Sequence, residues 1–418
     1  MKKIMIVGGG PAGLMAAQGL QSLGFKVHIF DAMSSVGRKF LLAGRGGLNL
    51  THSEQKNKFL NRFHPPSESL ISALESFSSN EVCEWVKDLG SSIFIGSSGR
   101  IFPTYMKASP LLRAWLNRLE KPNFGAPVSF HLQHRWLGWT DDQINSGPYQ
   151  SCIFQTNTGL KSFSADALVL AMGGGSWSRL GSDGLWFSIL QKHHCLLSPL
   201  RPSNSGFDLG GEWTPLFLEK FVGRPLKSIS MKFTSHNGDI FSRRGELVVT
   251  ETGIEGSLIY AASRLLRDTI EHHGSASVYF DLLPDHSDED VLANVCHPRG
   301  SRSLSSHLKS RLNLSGIKMA LLYECLSKVE LHNPNLLARS LKNLPILLGA
   351  TRPLDEAISS AGGVKFDRLS RDLMMLDKPG VFLAGEMLDW EAPTGGYLLT
   401  ACLATGMRVA HGIREFLK

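Results

Sequence analysis

The chain has 418 residues, is 42% hydrophobic and carries a formal net charge of +7. That length exceeds one ordinary core and predicts two or three domains. No apolar run approaches the ~20 residues of a membrane helix, and the six cysteines form no CxxC pair, which argues against a disulfide framework, a CxxC redox enzyme and a zinc ribbon.

This cysteine usage fits a reducing cytoplasm, and no metal site is expected. A basic balance permits contact with nucleic acid or an anionic substrate without showing it. The N-terminus opens with lysines and an apolar stretch, as a signal peptide does, but Gly8, Gly9, Gly10 and Pro11 interrupt the run.

Residues 4–7 read as a short buried strand, followed by Gly8, Gly10 and Gly13 in a GxGxxG turn. Leu14, Ala17, Leu20 and Leu23 have roughly helical spacing, and KVHIF is a second strand closing on Asp31. Each piece has a task in dinucleotide binding. Gly8 permits the tight turn, Gly10 lets backbone approach a pyrophosphate, and Gly13 lets helix and strand pack closely. Pro11 and Ala12 open the helix, whose N–H groups face the phosphates. Asp31 is placed to accept from an adenosine ribose, and its charge disfavours a 2′-phosphate.

Further along, Ala167 to Trp177 reads as a buried strand running into glycines. Ala171 and Gly173 make a turn that resembles the Ala-Thr-Gly approach of flavoproteins with two dinucleotide-binding folds, with Met172 in place of Thr. No second GxGxxG follows, so a separate NAD(P)H domain is not expected. From Pro199 to about Asp285 the pattern is strand-like, interrupted by a helix near Ser257 to Glu271. The stretch 286–333 is helical and basic, with Arg299, Arg302, Lys309, Arg311 and Lys318; Arg243 and Arg244 add a second basic spot. These residues suit either an RNA-facing surface or ordinary solvated helices.

Near the end, GVFLAGEMLD reads as a strand running into Gly385, Glu386 and Asp389, and a helix begins at Gly395 and Gly396. A strand returning to the sheet can bring a carboxylate to ribityl hydroxyls or a pyrophosphate. A helix start aims N–H groups at an anion, here the N1–C2=O end of a reduced flavin. This late segment points to FAD over NAD as the resident dinucleotide.

Seven stretches, namely VGGGPAGLMAA, GRKFLLAGRGGLNLTH, GRIFP, LVLAMGGGSW, TETGIEGSLIY, SAGGVKFDRL and LAGEMLDWEAPTGGYLLTACLATG, together resemble a compact branch of the BaiN-like family of FAD-dependent oxidoreductases. The resemblance implies an α/β fold: a discontinuous Rossmann-like FAD domain with an inserted β-barrel-like domain and a small helical insertion. The expected boundaries are 1–195 and 350–418 for the FAD domain, 196–285 for the β-rich part, 286–334 for the helices and 335–349 for the return. It also implies Arg38 and Lys39 near the pyrophosphate, and Ala43, Gly44 and Asn49 beside the flavin ring. Gly362, Gly363 and Val364 would face the cofactor region. Where the family commonly carries Arg-Cys-Asn, this chain has Gly47, Leu48 and Asn49; where it often has Asn after Gly-Gly-Tyr, this chain has Leu398. Flavin binding should survive both departures, while the substrate or redox partner can differ.

Candidate acid–base groups are Glu251, Tyr397, His52 and Glu391, with Arg100 for an anionic substrate and Trp177 as a wall. The leading expectation is an FAD-dependent oxidoreductase moving hydride through flavin N5 on a small molecule, with NAD(P)H as a possible transient donor. The alternative is an RNA-modifying flavoenzyme that reduces a pyrimidine C5=C6 bond, and a third reading is a non-catalytic flavin-bound sensor. Substrate, donor and oligomeric state stay open.

Overall fold

The computed structural model describes residues 1–44, 46–140 and 150–418. The chain divides into two units, Met1–Ser203 with Leu354–Lys418, and Asn204–Pro353. These borders lie a few residues beyond the 195/196 and 349/350 positions read from the sequence.

The first unit is built on a parallel sheet with strand order Val381–Leu383, Ala167–Leu170, Lys3–Val7, Lys26–Asp31 and Ser129–Leu132. Its central strands are continuous apolar runs because helices cover both faces of such sheets. Ile6 lies opposite Val169 on one side and Ile29 on the other, and all three are fully buried. Pro11 starts the Pro11–Ser22 helix at a position where its missing N–H costs nothing. That helix packs on Tyr397–Phe416, the last helix of the chain. Contact is close enough that a β-carbon on Gly406 would lie 2.4 Å from the Ala12 carbonyl oxygen. The final strand and helix thus complete the layer that the first strand and helix begin.

Three smaller sheets decorate this unit. Arg135–Trp139, Gln150–Thr156 and Gly159–Ala165 form an antiparallel meander, and Thr51–His52 pairs with Arg100–Pro103, which pairs with Ile93–Ile95. Leu197–Ser203 pairs antiparallel with Ser359–Val364. The start of the strand-like pattern at Pro199 therefore belongs to the first unit, because its hydrogen-bonding partner is the SAGGV segment.

The second unit contains a closed barrel ordered Phe207–Leu209, Gly253–Glu255, Ile240–Val249, Pro225–Thr234, Ala276–Asp281 and Leu344–Thr351. Ile229, Met231, Val278, Phe280 and Leu348 fill it, and Leu258, Ile259, Ala262 and Leu266 of the Ser257–His273 helix join the same core. The helices that follow begin where Ser287, Ser303 and Ser327 accept from backbone N–H groups of their first turns. Among the described residues no helix is long and apolar enough to cross a membrane.

Candidate active site

A cleft enclosing about 970 Å³, open solvent included, lies at the carboxyl ends of the parallel strands of the first unit. That is where open α/β sheets bind ligands. The GxGxxG turn forms its floor, and its three glycines are not equivalent. Gly8 has φ of +105°, and a β-carbon there would lie 2.2 Å from the Ala171 carbonyl oxygen. A β-carbon on Gly13 would lie 2.0 Å from the Gly8 carbonyl oxygen. A β-carbon on Gly10 would meet none of the described residues within 4 Å. Gly8 and Gly13 are therefore demanded by the protein's own packing, and Gly10 leaves open space in the cleft for something else.

Asp31 closes the second strand and lines the same cleft. Its Oδ2 accepts from the Gly9 N–H at 2.8 Å and its Oδ1 from the Met33 N–H at 2.8 Å. Burial raises the Asp31 carboxyl above its ordinary value, against the pull of those two N–H groups. A carboxylate offers about four acceptor positions, so capacity for ligand hydroxyls remains. Pro11, Ala12, Arg38, Lys39, Ala171 and Gly173 also line this cleft, as do Gly385, Glu386 and Cys402. The Arg38 guanidinium donates to Ser34 Oγ at 3.3 Å.

The deepest charged pair in the cleft joins the two ends of the chain. Lys39 Nζ lies 2.8 Å from Glu386 Oε2, 3.1 Å from Glu386 Oε1 and 2.7 Å from Ser176 Oγ. Glu386 Oε1 also accepts from the Ser360 N–H at 2.9 Å, and Ser360 Oγ accepts from the Gly175 N–H at 2.8 Å. Ser176 and Ser360 are fully buried. Asp389 Oδ2 accepts from Ser198 Oγ at 2.5 Å, and the backbone N–H of Asp389 binds the Val364 carbonyl.

At the start of the last helix, Gly396 has φ of +94° and a β-carbon there would lie 2.4 Å from the Thr51 Cα. Among the described residues no side chain caps this helix start, and Leu398 is half-buried in its first turn. Gly395 has φ of +141°, with the Tyr397 ring 2.7 Å from where its β-carbon would be. Asn49 precedes this contact by two residues, and its Oδ1 is buried without a partner among the described residues. Gly44 is buried against Ala108, whereas Ala43 is exposed. Gly362 and Gly363 have φ of +84° and +124°, and each approaches backbone closely, at Pro199 and Met387 respectively.

Tyr397 is buried among His52, Phe59 and Phe63. Its hydroxyl donates to Glu54 Oε1 at 2.6 Å, and Arg62 grips the same carboxylate at 2.8 and 3.1 Å. Burial, then the Glu54 carboxylate, raises the Tyr397 hydroxyl far above its ordinary value. It is a committed hydrogen-bond donor and a poor acid. His52 Nδ1 accepts from the Glu54 N–H at 3.1 Å, which leaves the proton on Nε2, 3.1 Å from the Ser98 carbonyl. Glu391, a candidate acid–base group from sequence, is 6% exposed; its Oε2 accepts from Ser203 Oγ at 2.8 Å and its backbone pairs with His64. The segment it occupies folds inward because it forms that bridge. Arg100 is half-buried on the strand beside His52, and Trp177 lies under the Arg179 guanidinium, 4.9 Å from its ring centroid.

In the second unit, Glu251 is exposed in the turn between the Ile240–Val249 and Gly253–Glu255 strands. Arg243, Arg299, Arg302, Lys309 and Arg311 are exposed as well. Two members of the basic set differ. Lys318 donates to the Ser228 and Leu282 carbonyls at 2.9 and 2.6 Å, and Arg244 pairs with Asp285 at 2.6 Å. Lys318 is a stitch between the helical part and the barrel, not a solvent-facing cation.

Sequence reasoning missed Glu54, Arg62, Ser176, Ser182 and Ser360. Ser182 lines the cleft with its Oγ buried and without a partner among the described residues. The open position at Gly10 and the unpartnered oxygens of Ser182 and Asn49 fit a dinucleotide carrying a flavin: room for a pyrophosphate beside N–H groups, and polar atoms waiting for a ligand. Among the described residues no cluster of His, Cys, Asp or Glu could hold a metal ion.

The family model described as "HI0933-like protein Rossmann domain" matches residues 2–412. The chain is 25% identical over 439 residues to a 3-dehydro-bile acid delta(4,6)-reductase of Clostridium scindens, across 99% of this chain and 100% of the relative. It is 24% identical over 408 residues to a ribosomal RNA dihydrouridine synthase of Escherichia coli, across 94% of this chain and 93% of that one. Among solved structures, a 3-ketosteroid delta1-dehydrogenase from Sterolibacterium denitrificans superposes with a TM-score of 0.50 at 12% identity, covering 99% of this chain and 100% of that one. That last likeness speaks to the fold alone.

Proposed function

Because the chain belongs to the HI0933-like Rossmann-domain family and is an FAD-dependent oxidoreductase, we propose that it reduces or dehydrogenates a small molecule by hydride transfer through flavin N5. The observation that carries this reading is the cleft itself, where the Gly10 opening, Asp31 and Glu386 converge. FAD supplies the redox step when bound. The protein's own residues do the rest. The Gly8–Gly13 turn and the helix after it hold the pyrophosphate through backbone N–H groups. Asp31 accepts from the ribose, and Glu386 accepts from a ribityl hydroxyl. Asp389 acts beside it through Ser198. Gly395, Gly396 and the N–H groups of Tyr397 and Leu398 would favour negative charge at the N1–C2=O end of the ring. Ala43, Gly44 and Asn49 would line the ring.

Glu251 is the group we propose as proton source, since it is exposed on a turn and uncommitted to a salt bridge among those described. Tyr397 serves the ring by packing, because its hydroxyl is held by Glu54. NAD(P)H is proposed as a transient donor without a domain of its own. Six free cysteines support a reducing, cytoplasmic setting.

A second reading rests on the exposed Arg299, Arg302, Lys309 and Arg311 and on the name of the Escherichia coli relative. In that reading the substrate is a pyrimidine in ribosomal RNA, reduced at C5=C6 with Glu251 protonating the second carbon. Salt-dependent RNA retention and loss of dihydrouridine in a deletion strain separate it from the first.

The experiment is anaerobic mixing of the flavin-loaded protein with NADPH, then NADH, followed by oxygen. Bleaching with slow reoxidation supports a reductase that keeps its electrons for another acceptor. Bleaching with fast reoxidation marks an oxidase and counts against RNA. No bleaching with either nucleotide marks a substrate-reduced dehydrogenase or a separate donor protein.

A further inference from the structure

Resting on the assignment of FAD to this cleft, we infer that Lys39 is the counter-ion of Glu386 and not a cation for the cofactor pyrophosphate. Adjacent basic residues, Arg38 and Lys39, line the cleft, and from sequence they look equivalent. Their surroundings separate them.

An ammonium carries three donors and no acceptor. Lys39 Nζ already has three acceptors in reach, Ser176 Oγ at 2.7 Å and the Glu386 oxygens at 2.8 and 3.1 Å. Turning a donor toward a phosphate would break one of these contacts and leave a buried oxygen poorly served. Both partners are largely shielded, with side-chain exposures of 28% for Lys39 and 11% for Glu386. Glu386 Oε1 is further pinned by the Ser360 N–H at 2.9 Å, while Oε2 keeps acceptor capacity on the cleft side. The pair therefore presents a neutralised, oriented acceptor. Such an acceptor suits a neutral hydroxyl donor. A bare Glu386 would instead repel an anionic cofactor. Arg38 is in a different position. Its guanidinium has one described contact, the 3.3 Å bond to Ser34 Oγ, and retains donors in the planar fork that matches phosphate. Lys39 is thus a positioning residue acting through Glu386.

The test is a fluorescence titration of the apo-protein with FAD, read as a dissociation constant independent of turnover. It compares wild type, Arg38→Met, Lys39→Met and the double variant Lys39→Met/Glu386→Gln, with folding followed by circular dichroism. Loss of a direct charge-assisted contact to phosphate weakens binding about 10- to 150-fold. The expected result is a loss of that size in Arg38→Met and in Lys39→Met. The double variant should recover to within about tenfold of wild type, because the amide at 386 keeps an acceptor oxygen and no carboxylate stripped of its counter-ion is left there. A double variant weaker than that overturns the assignment and makes Lys39 a phosphate contact. If Lys39→Met does not fold, the double variant decides alone, and Lys39→Gln/Glu386→Gln replaces it should methionine not be accommodated. Failure of the wild-type protein to bind FAD would instead remove the cofactor assignment beneath.

Discussion

The Tyr397 hydroxyl donates to Glu54 at 2.6 Å across a sequence separation of 343 residues, and Arg62 donates to both oxygens of the same carboxylate. Phenylalanine at position 397 keeps the ring packing and removes one donor to a buried charge. Tyr397→Phe should cost about 1.5–3 kcal/mol of stability while leaving the flavin content unchanged. A denaturant melt beside a flavin-to-protein ratio reads both. Burial opposes ionisation of Glu54, but Arg62 and Tyr397 hold its carboxyl below its ordinary value. A depressed folded-state carboxyl contributes stability that is present above its unfolded value, about 4.3, and lost as pH falls through the folded value. Wild type should therefore lose stability in that acid range, and Tyr397→Phe should show a shallower loss. Equal slopes for the two proteins would break the proposed coupling.

The glycines of the phosphate turn should separate into two classes. Gly8→Ala places a β-carbon 2.2 Å from a carbonyl oxygen at φ of +105° and should cost about 3 kcal/mol or more. Gly10→Val adds its side chain to open space, so the protein should purify without flavin yet melt like the wild-type apo-protein. A Gly10→Val protein that retains its yellow colour would empty this cleft of its proposed role.

Glu251→Gln tests the proton source. Replacing a general acid should lower turnover about 10²- to 10⁴-fold without changing FAD content. Unchanged turnover at unchanged FAD content removes Glu251 from the mechanism.

Lys318→Met should destabilise the second unit, because burial and two backbone carbonyls define its setting. Each bond to the charged group is worth about 1.5–3 kcal/mol. RNA retention, if it occurs, should be indifferent to this change at temperatures where the unit is folded, and should fall with Arg299→Ala/Arg302→Ala. A column retention series over salt concentration distinguishes the two effects.

The parts of the site that could be read from sequence are those carried by local spacing. Gly8, Gly10, Gly13 and Asp31 sit within one strand–helix–strand unit, and the observed Lys3–Val7, Pro11–Ser22 and Lys26–Asp31 elements follow that pattern closely. The helix read near Ser257 to Glu271 is Ser257–His273 for the same reason: its apolar positions repeat at helical spacing. What could not be read depends on pairs far apart in sequence. Lys39 and Glu386 are separated by 347 residues, and no periodicity announces such a pair. Barrel closure requires Phe207–Leu209 to pair with Leu344–Thr351, and strand propensity does not choose partners. Lys318 looked like its basic neighbours because charge alone does not report the carbonyls that surround it.

The packing of Gly406 on Ala12 has a consequence for biogenesis. The phosphate turn is synthesised before Val381–Leu383 and Tyr397–Phe416, the elements that complete its layer. Contacts of such long sequence separation form late and slowly. A nascent chain emerging from the ribosome therefore exposes the apolar face of the Pro11–Ser22 helix until those elements are made, and chaperone occupancy should be highest before then. Flavin capture waits for those elements, so cofactor scarcity in the cell would leave a pool of empty chains.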